Sequence, residues 1–197
     1  MRFQLLTTLL LLAFLGLFML AGGCSKVPVT SMMKLARIDF ETTDLSALRA
    51  AILLPASLRP SPGTGRLTVV LEQSDGSTEK HTFKLREIED PEAAMLNEEA
   101  ESAGRIYAYT LSSRAVRTFE QLRREALAAR GNGRGGSKMT LSIAADACHV
   151  ADPQQGRLAI TTYLKTKETR SFVPLVRNFD LRTLSRGKPL DLRPCPR

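Results

Sequence analysis

Apolar and polar residues alternate along several short segments of this chain, and a period of two is the pattern of half-buried β-strands. Turn-forming stretches rich in Gly, Pro, Ser and Asp separate many of these segments. The predicted strands are residues 36–40, 67–71, 82–86, 105–111, 139–143, 158–164 and 172–176. Two of them, 67–71 and 82–86, flank the turn sequence Ser74-Asp75-Gly76-Ser77, which predicts a β-hairpin.

A helical period of 3.6 residues dominates one segment, residues 113–130, with Ser113 as its predicted cap. Its apolar stripe consists of Ala115, Val116, Phe119, Leu122, Ala126 and Leu127. Residues 42–50 have a weaker helical pattern with Asp44 as N-cap. Pro55 and Pro60 then predict extended or turning chain. The acidic segment 88–103 is predicted to be an exposed connection with one helical turn.

The fold class follows from the connections between these elements. Strands joined by short turns favour antiparallel pairing. We therefore predict an α+β fold: a mainly antiparallel sheet of about seven strands, with one main helix, residues 113–130, packed on one face. The alternative is a β-sandwich with an inserted helix.

The start of the chain has a different pattern, an apolar run from Leu5 to Ala21 that follows Arg2 and ends at Gly22-Gly23-Cys24. A basic start, an apolar middle and small residues before a cleavage point are the features of an export signal. Residues 20–24, Leu-Ala-Gly-Gly-Cys, resemble the lipobox of bacterial lipoproteins, with Ala21 at the position that Leu usually holds. This resemblance implies that Cys24 is acylated, with palmitate as one of the chains, and becomes the first residue of the mature protein. The mature chain resembles small uncharacterised envelope lipoproteins of Gram-negative bacteria.

This resemblance divides the chain into a signal peptide (residues 1–23), a tether (24–33) and one periplasmic domain (34–197). Ser25 follows the cysteine where Asp would imply retention, so the enterobacterial pattern implies attachment to the outer membrane. Two alternatives stay open. The apolar run approaches the roughly 18–20 residues that span a bilayer and would then be an uncleaved anchor, or it is an ordinary secretion signal with a chance cysteine. Each alternative places the domain outside the cytoplasm.

Two cysteines lie in the predicted domain, Cys148 and Cys195. An even pair in an oxidising compartment predicts a disulfide. Cys195 lies near the chain terminus, so the bridge would fasten a tail that otherwise frays. The alternatives are two buried free thiols or one reactive cysteine.

The chain is basic, with 28 Lys+Arg against 20 Asp+Glu, a net charge of +8 that falls to +7 without Arg2. Such a charge favours anionic partners such as lipid head groups, acidic polysaccharides or an acidic protein. The predicted compartment argues against nucleic acid. The candidate residues for an anionic partner lie on the predicted helix: Arg114, Arg117, Arg123, Arg124 and Arg130. The alternative is a solvated helix face on which Glu120 and Glu125 pair with these arginines.

Residue types that perform catalysis or bind metal are sparse. The chain has 2 His and no Trp, and His149 directly follows Cys148 on a strand, where neighbouring side chains point to opposite faces. No nucleophile stands in a recognisable pattern with a base. The glycine-rich segment 131–136 follows a helix and precedes a strand, the reverse of a phosphate-binding loop. The sequence therefore predicts no catalytic residues, no metal and no cofactor.

Three functional hypotheses follow. The first is a lipid-anchored, non-enzymatic binding or accessory module that acts with an envelope protein partner. The second is a module that binds anionic lipid or polysaccharide through the basic helix face. The third is an envelope hydrolase too divergent to recognise.

Overall fold

The computed structural model of the protein describes residues 31, 35, 38–72, 76–99, 104–131, 138–151, 158–185, 190 and 192–196. The predicted signal peptide, Cys24 and almost all of the predicted tether lie outside the described residues. So does most of the glycine-rich segment 131–136.

In the described part of the chain, short elements follow one another closely. The helices are α1 (Pro91–Glu99) and α2 (Ser113–Gly131), with short 3-10 helices at Leu45–Ala47 and Leu181–Ser185. The strands are β1 (Arg49–Pro55), β2 (Leu58–Pro60), β3 (Arg66–Glu72), β4 (Thr78–Ile88), β5 (Gly104–Leu111), β6 (Lys138–Ala144), β7 (Ala147–His149), β8 (Ala159–Lys165) and β9 (Val173–Asp180).

Seven strands form one antiparallel sheet in the order β6-β3-β4-β5-β1-β8-β9, and β2 pairs with β7 in a separate two-stranded ladder. The predicted α+β class, a mainly antiparallel sheet with one main helix, is confirmed. The predicted hairpin is also present, with Leu67 opposite Phe83 in the β3–β4 register.

The sheet is organised around β1, which is buried along its interior residues Ala50–Leu54. β5 and β8 pair with its two edges. Ala50, Ile52 and Leu54 contribute to the main core on one face, while Ala51 contributes to a second cluster on the other. The predicted N-cap Asp44 is confirmed, since its carboxylate accepts the Ser46 amide at 2.9 Å. The predicted extent of that helix, 42–50, is wrong, because only Leu45–Ala47 is helical and Arg49 already belongs to β1. A strand covered on both faces has no apolar–polar alternation to reveal it.

The predicted strand 36–40 is also wrong over its described residues 38–40. Asp39 organises a turn there: its carbonyl accepts the Thr43 amide at 2.7 Å, and its carboxylate accepts the Glu41 amide at 2.9 Å. Such local bonds from Asp compete with strand pairing. Ile38 and Phe40 still pack against the main core, which explains their apolar spacing.

The second face of the sheet is covered by α1. Asp90 begins this helix by accepting the amides of Glu92 and Ala93 on its carboxylate. Ala93, 1% exposed, then packs with Ala51 and Phe172 in the second cluster. The segment 88–103 is therefore more than an exposed connection, since nine of its residues form a packed helix. The acidic residues around Ala93 conceal this buried position in the sequence pattern.

The sheet curls because β4 changes partner along its length. Residues 78–84 pair with β3, and residues 85–88 pair with β5. At the change, the Leu85 amide donates to the Gly65 carbonyl at 2.8 Å. A Cβ on Gly65 would lie 2.9 Å from the Tyr109 ring, so only glycine fits this approach.

The ladder between β2 and β7 connects two strands, β1 and β6, that are far apart in the order of the curled sheet. β2 follows β1 after two residues, and β7 follows β6 after two residues. The pairing of Pro60 with Ala147 therefore brings the end of β1 to the end of β6. These two strands lie four positions apart in the sheet order, so the ladder holds the sheet in its curled form.

The C-terminal tail is bonded to this same ladder. Cys148 in β7 and Cys195 form a disulfide with an S–S distance of 2.06 Å and a Cα–Cα distance of 4.9 Å. The His149 amide donates to the Arg193 carbonyl, and the Cys195 amide donates to the His149 carbonyl, each at 2.9 Å. The tail thus runs alongside β7, in parallel, on the edge that β2 leaves open.

Replacing both Cys148 and Cys195 by Ser should lower the free energy of unfolding by about 3–4 kcal/mol on the chain-entropy model of a closed loop. The two residues are 47 positions apart, which sets the size of that loop. Urea unfolding followed by circular dichroism measures the change. Cys24→Ser is the control and should leave the unfolding midpoint where it is. An unchanged midpoint in the double variant would contradict the stabilising role of the bridge.

Candidate functional site

Helix α2 begins at a serine cap. The Ala115 amide donates to Oγ of Ser112 at 3.2 Å, and the Val116 amide donates to the Ser112 carbonyl at 2.9 Å. The cap is therefore Ser112, and the prediction of Ser113 is wrong by one position. This position agrees with the usual N-cap geometry, in which the side chain accepts the amide three residues later.

The rotation of α2 about its axis is fixed by its buried stripe. Ala115, Phe119 and Leu122 are buried in the main core. The Phe119 ring stacks on Phe83 of β4 with 4.8 Å between centroids and 13° between planes. Because side chains three and four residues apart share a helix face, this contact turns the opposite face to solvent.

Three of the predicted arginines lie on that solvent face: Arg114, Arg117 and Arg124 are all exposed. We call these three residues the arginine stripe. With Thr118, Glu120 and Gln121 they line a shallow groove on the helix surface. Gln121 donates to the Glu125 carboxylate at 2.9 Å. Among the described residues, no side chain forms an ion pair or hydrogen bond with the guanidinium groups of the stripe.

The other two predicted arginines do not belong to the stripe. Arg123 is half-buried and donates to the Thr43 carbonyl at 2.8 Å. Thr43, 1% exposed, in turn donates its hydroxyl to Glu168 at 2.7 Å. Arg123 therefore fastens the helix to the segment before β1. The side chain of Arg130 lies outside the described residues.

A second polar feature lies on β5, where Tyr107 and Tyr109 share the face that turns toward the main core. Both hydroxyl oxygens are buried, and neither has a hydrogen-bond partner in the described part of the chain. An unpaired buried hydroxyl costs free energy because its bonds to water are lost. Sequence reasoning did not single out these residues, although their spacing of two along a strand already places them on one face.

Charged groups surround the two tyrosines. Burial raises the pKa of Tyr107, while the positive charges of Arg105 and Arg59 oppose the shift. Burial raises the pKa of Tyr109 well above its ordinary value, and the charge of Glu87 adds to this shift. Glu87 is the register partner of Tyr109 on β4. At a pH at which an exposed tyrosine begins to ionise, both phenols therefore stay protonated in the folded protein.

The histidines and cysteines take structural positions. His81 lies 3.5 Å from the Glu79 carboxylate on β4. His149 pairs through its backbone with the C-terminal tail, and Cys148 is joined to Cys195. Within the described ranges, no three His, Cys, Asp or Glu side chains lie together as metal ligands would.

Comparisons with known proteins give no relative: no family model, no curated protein and no solved structure matches this chain. None of the helices in the described ranges combines the length and the hydropathy that crossing a bilayer requires.

Replacing Tyr109 by Phe should raise the free energy of unfolding at neutral pH by about 1 kcal/mol, because it removes an unpaired buried hydroxyl. The pKa of Tyr109 is higher in the folded chain than in the unfolded chain. The unfolded state therefore loses a proton above about pH 10 that the folded state keeps. Above about pH 10, the free energy of unfolding of the wild type should therefore fall more steeply with pH than that of Y109F, by up to about 1.4 kcal/mol per pH unit.

Denaturant unfolding at neutral and alkaline pH measures both effects. The hydroxyl of the half-buried Tyr163 is not among the buried, unpaired ones, so Y163F is the control and should show no gain at neutral pH. A loss of stability in Y109F at neutral pH would mean that its hydroxyl has a partner in solution.

Proposed function

We propose that this protein is a lipid-anchored, non-enzymatic binding module of the Gram-negative cell envelope, held at the outer membrane through Cys24 and facing the periplasm. The disulfide between Cys148 and Cys195 carries the proposal. Disulfides form and persist in oxidising compartments such as the periplasm. The bridge also accounts for two of the three cysteines and leaves Cys24 as the one that follows the apolar run Leu5–Ala21.

The arrangement of the domain fits a protein that works at a membrane surface. The C-terminal tail is fastened to β7, and the β2–β7 ladder holds the sheet in its curled form. The domain can therefore stand at the end of a short tether as a folded unit. A rigid unit of this kind presents its exposed side chains in fixed positions, and fixed positions lower the entropy that binding costs.

The arginine stripe favours a second candidate function, binding of anionic lipid or polysaccharide. Arg117 and Arg124 lie seven residues apart, two helical turns along one line, and Arg114 lies one turn before them. All three are exposed, and Glu120 is the one acidic residue of the groove that they line. An anionic head group at a membrane surface attracts each nearby arginine by about 1 kcal/mol.

The lipid anchor predicts the mass of the intact protein extracted from membranes. The mass should equal that of residues 24–197 plus a diacylglyceryl group and an amide-linked acyl chain. Cys24→Ser should abolish the added mass, whereas Cys148→Ser with Cys195→Ser should keep it. A wild-type protein with an unmodified Cys24, or one that still begins at Met1, would contradict the anchor.

Charge reversal tests the arginine stripe. R117E/R124E should weaken binding to vesicles that contain phosphatidylglycerol by at least about 30-fold, because removing two arginines from an anionic surface already costs this much and the two glutamates add repulsion. Vesicle co-sedimentation measures this loss, with vesicles of phosphatidylcholine alone as the reference. Arg123 is left unchanged in this test because it bonds the Thr43 carbonyl.

A matched control distinguishes the stripe from net charge. Lys84 and Arg86 are exposed on β4, where they alternate with the buried Phe83 and Leu85, so K84E/R86E changes the charge equally while leaving α2 intact. K84E/R86E should bind the anionic vesicles within about threefold of the wild type, since these two side chains point away from the face of β4 on which Phe83 stacks against α2. Equal losses in the two variants would contradict a role for the stripe, as would binding that R117E/R124E leaves unchanged.

A further inference from the structure

The two edges of the seven-stranded sheet differ in how well they resist pairing with another strand. At one edge, β9 contains Pro174, which lacks an amide to donate, and Asn178, which has a positive φ of 49°. Its register with β8 shifts twice. Proline and bulges are the devices by which sheet edges avoid further strands. The β9 edge is therefore blocked.

The opposite edge, formed by β6, has no such protection. β6 pairs residue for residue with β3 over residues 138–144, without a register break. None of the other described strands pairs with it. The sequence Met-Thr-Leu-Ser-Ile-Ala that follows Lys138 contains no charge, no proline and no glycine. The C-terminal tail lies beside β7 at His149, beyond the end of β6. Lys138 at the start of β6 is its one charged residue, and the six regular, uncharged residues that follow it are suited to pairing with another strand.

The sequence of β6 is nearly symmetric in its chemistry about Leu141. Thr140 and Ser142, the residues on either side of Leu141, both carry hydroxyl groups and are both exposed. Met139 and Ile143, the next pair, are both apolar and half-buried against the main core. A strand with this symmetry matches itself when it is turned end for end.

We propose that β6 is a dimerisation edge, at which two copies of this chain pair antiparallel about a twofold axis through Leu141. In this register Thr140 lies opposite Ser142 of the second copy, and Met139 lies opposite Ile143. Cross-strand hydroxyl pairs and apolar pairs both stabilise a sheet. The half-buried Met139, Leu141 and Ile143 become covered, and the interface is self-complementary as a twofold axis requires. This inference stands independently of the lipid anchor and the arginine stripe.

Charged substitutions on β6 test the register. In the proposed dimer, T140K/S142K sets two ammonium groups directly opposite each other on both sides of the twofold axis, and like charges directly opposite destabilise a pair. Thr140 and Ser142 are exposed, so the monomer itself should tolerate both changes. Sedimentation velocity of the full chain in detergent should show a dimer for the wild type and a monomer for T140K/S142K.

The complementary variant T140E/S142E should also be a monomer, and an equimolar mixture of the two variants should restore the dimer by placing Lys opposite Glu. The control T78K/T82K adds the same charge at exposed positions of β4, which lies two strands away from β6 in the sheet order, and should remain a dimer. A monomeric wild type, a dimer that survives in both variants, or a mixture that stays monomeric would each overturn the proposal.

Discussion

The burial of β1 on both of its faces is the constraint on which the remainder of the structure depends. Ala50, Ile52 and Leu54 face the main core, and Ala51 faces the second cluster, so neither face can be left to water. One covering layer is supplied by α1 through Ala93, and the other includes α2 through Phe119. β5 and β8 satisfy the backbone of β1 from either side.

This constraint determines what the surface presents. Because Phe119 stacks on Phe83, α2 cannot rotate without opening the core, and its outward face stays outward. Arg114, Arg117 and Arg124 are exposed for that reason, whereas Arg123 lies near enough to the core to bond the Thr43 carbonyl. The disulfide acts at the other end of the fold, where it holds the tail against the ladder that closes the curl.

The periodic sequence pattern predicts those elements that bury one face and expose the other to water. In β3, Leu67, Val69 and Leu71 alternate with less buried residues, and the 3.6-residue stripe of α2 is equally clear. β1 has no such signal because its run of five buried residues has no polar face. In α1 the pattern predicts only one helical turn, because the buried Ala93 stands among acidic residues. The contacts of Arg123 and the unpaired hydroxyls of Tyr107 and Tyr109 depend on tertiary packing, which sequence periodicity does not encode.

Native-state hydrogen exchange measured residue by residue tests the central role of β1 most directly. Amides of the core elements exchange only when the whole domain unfolds, whereas edges open locally at lower free energy. If β1 has this role, the amides of Ala50–Leu54 exchange with the free energy of global unfolding, and those of the edge strand β9 exchange at a lower free energy. Exchange of Ala50–Leu54 through local opening, at a free energy equal to or below that of β9, would contradict the central role of β1.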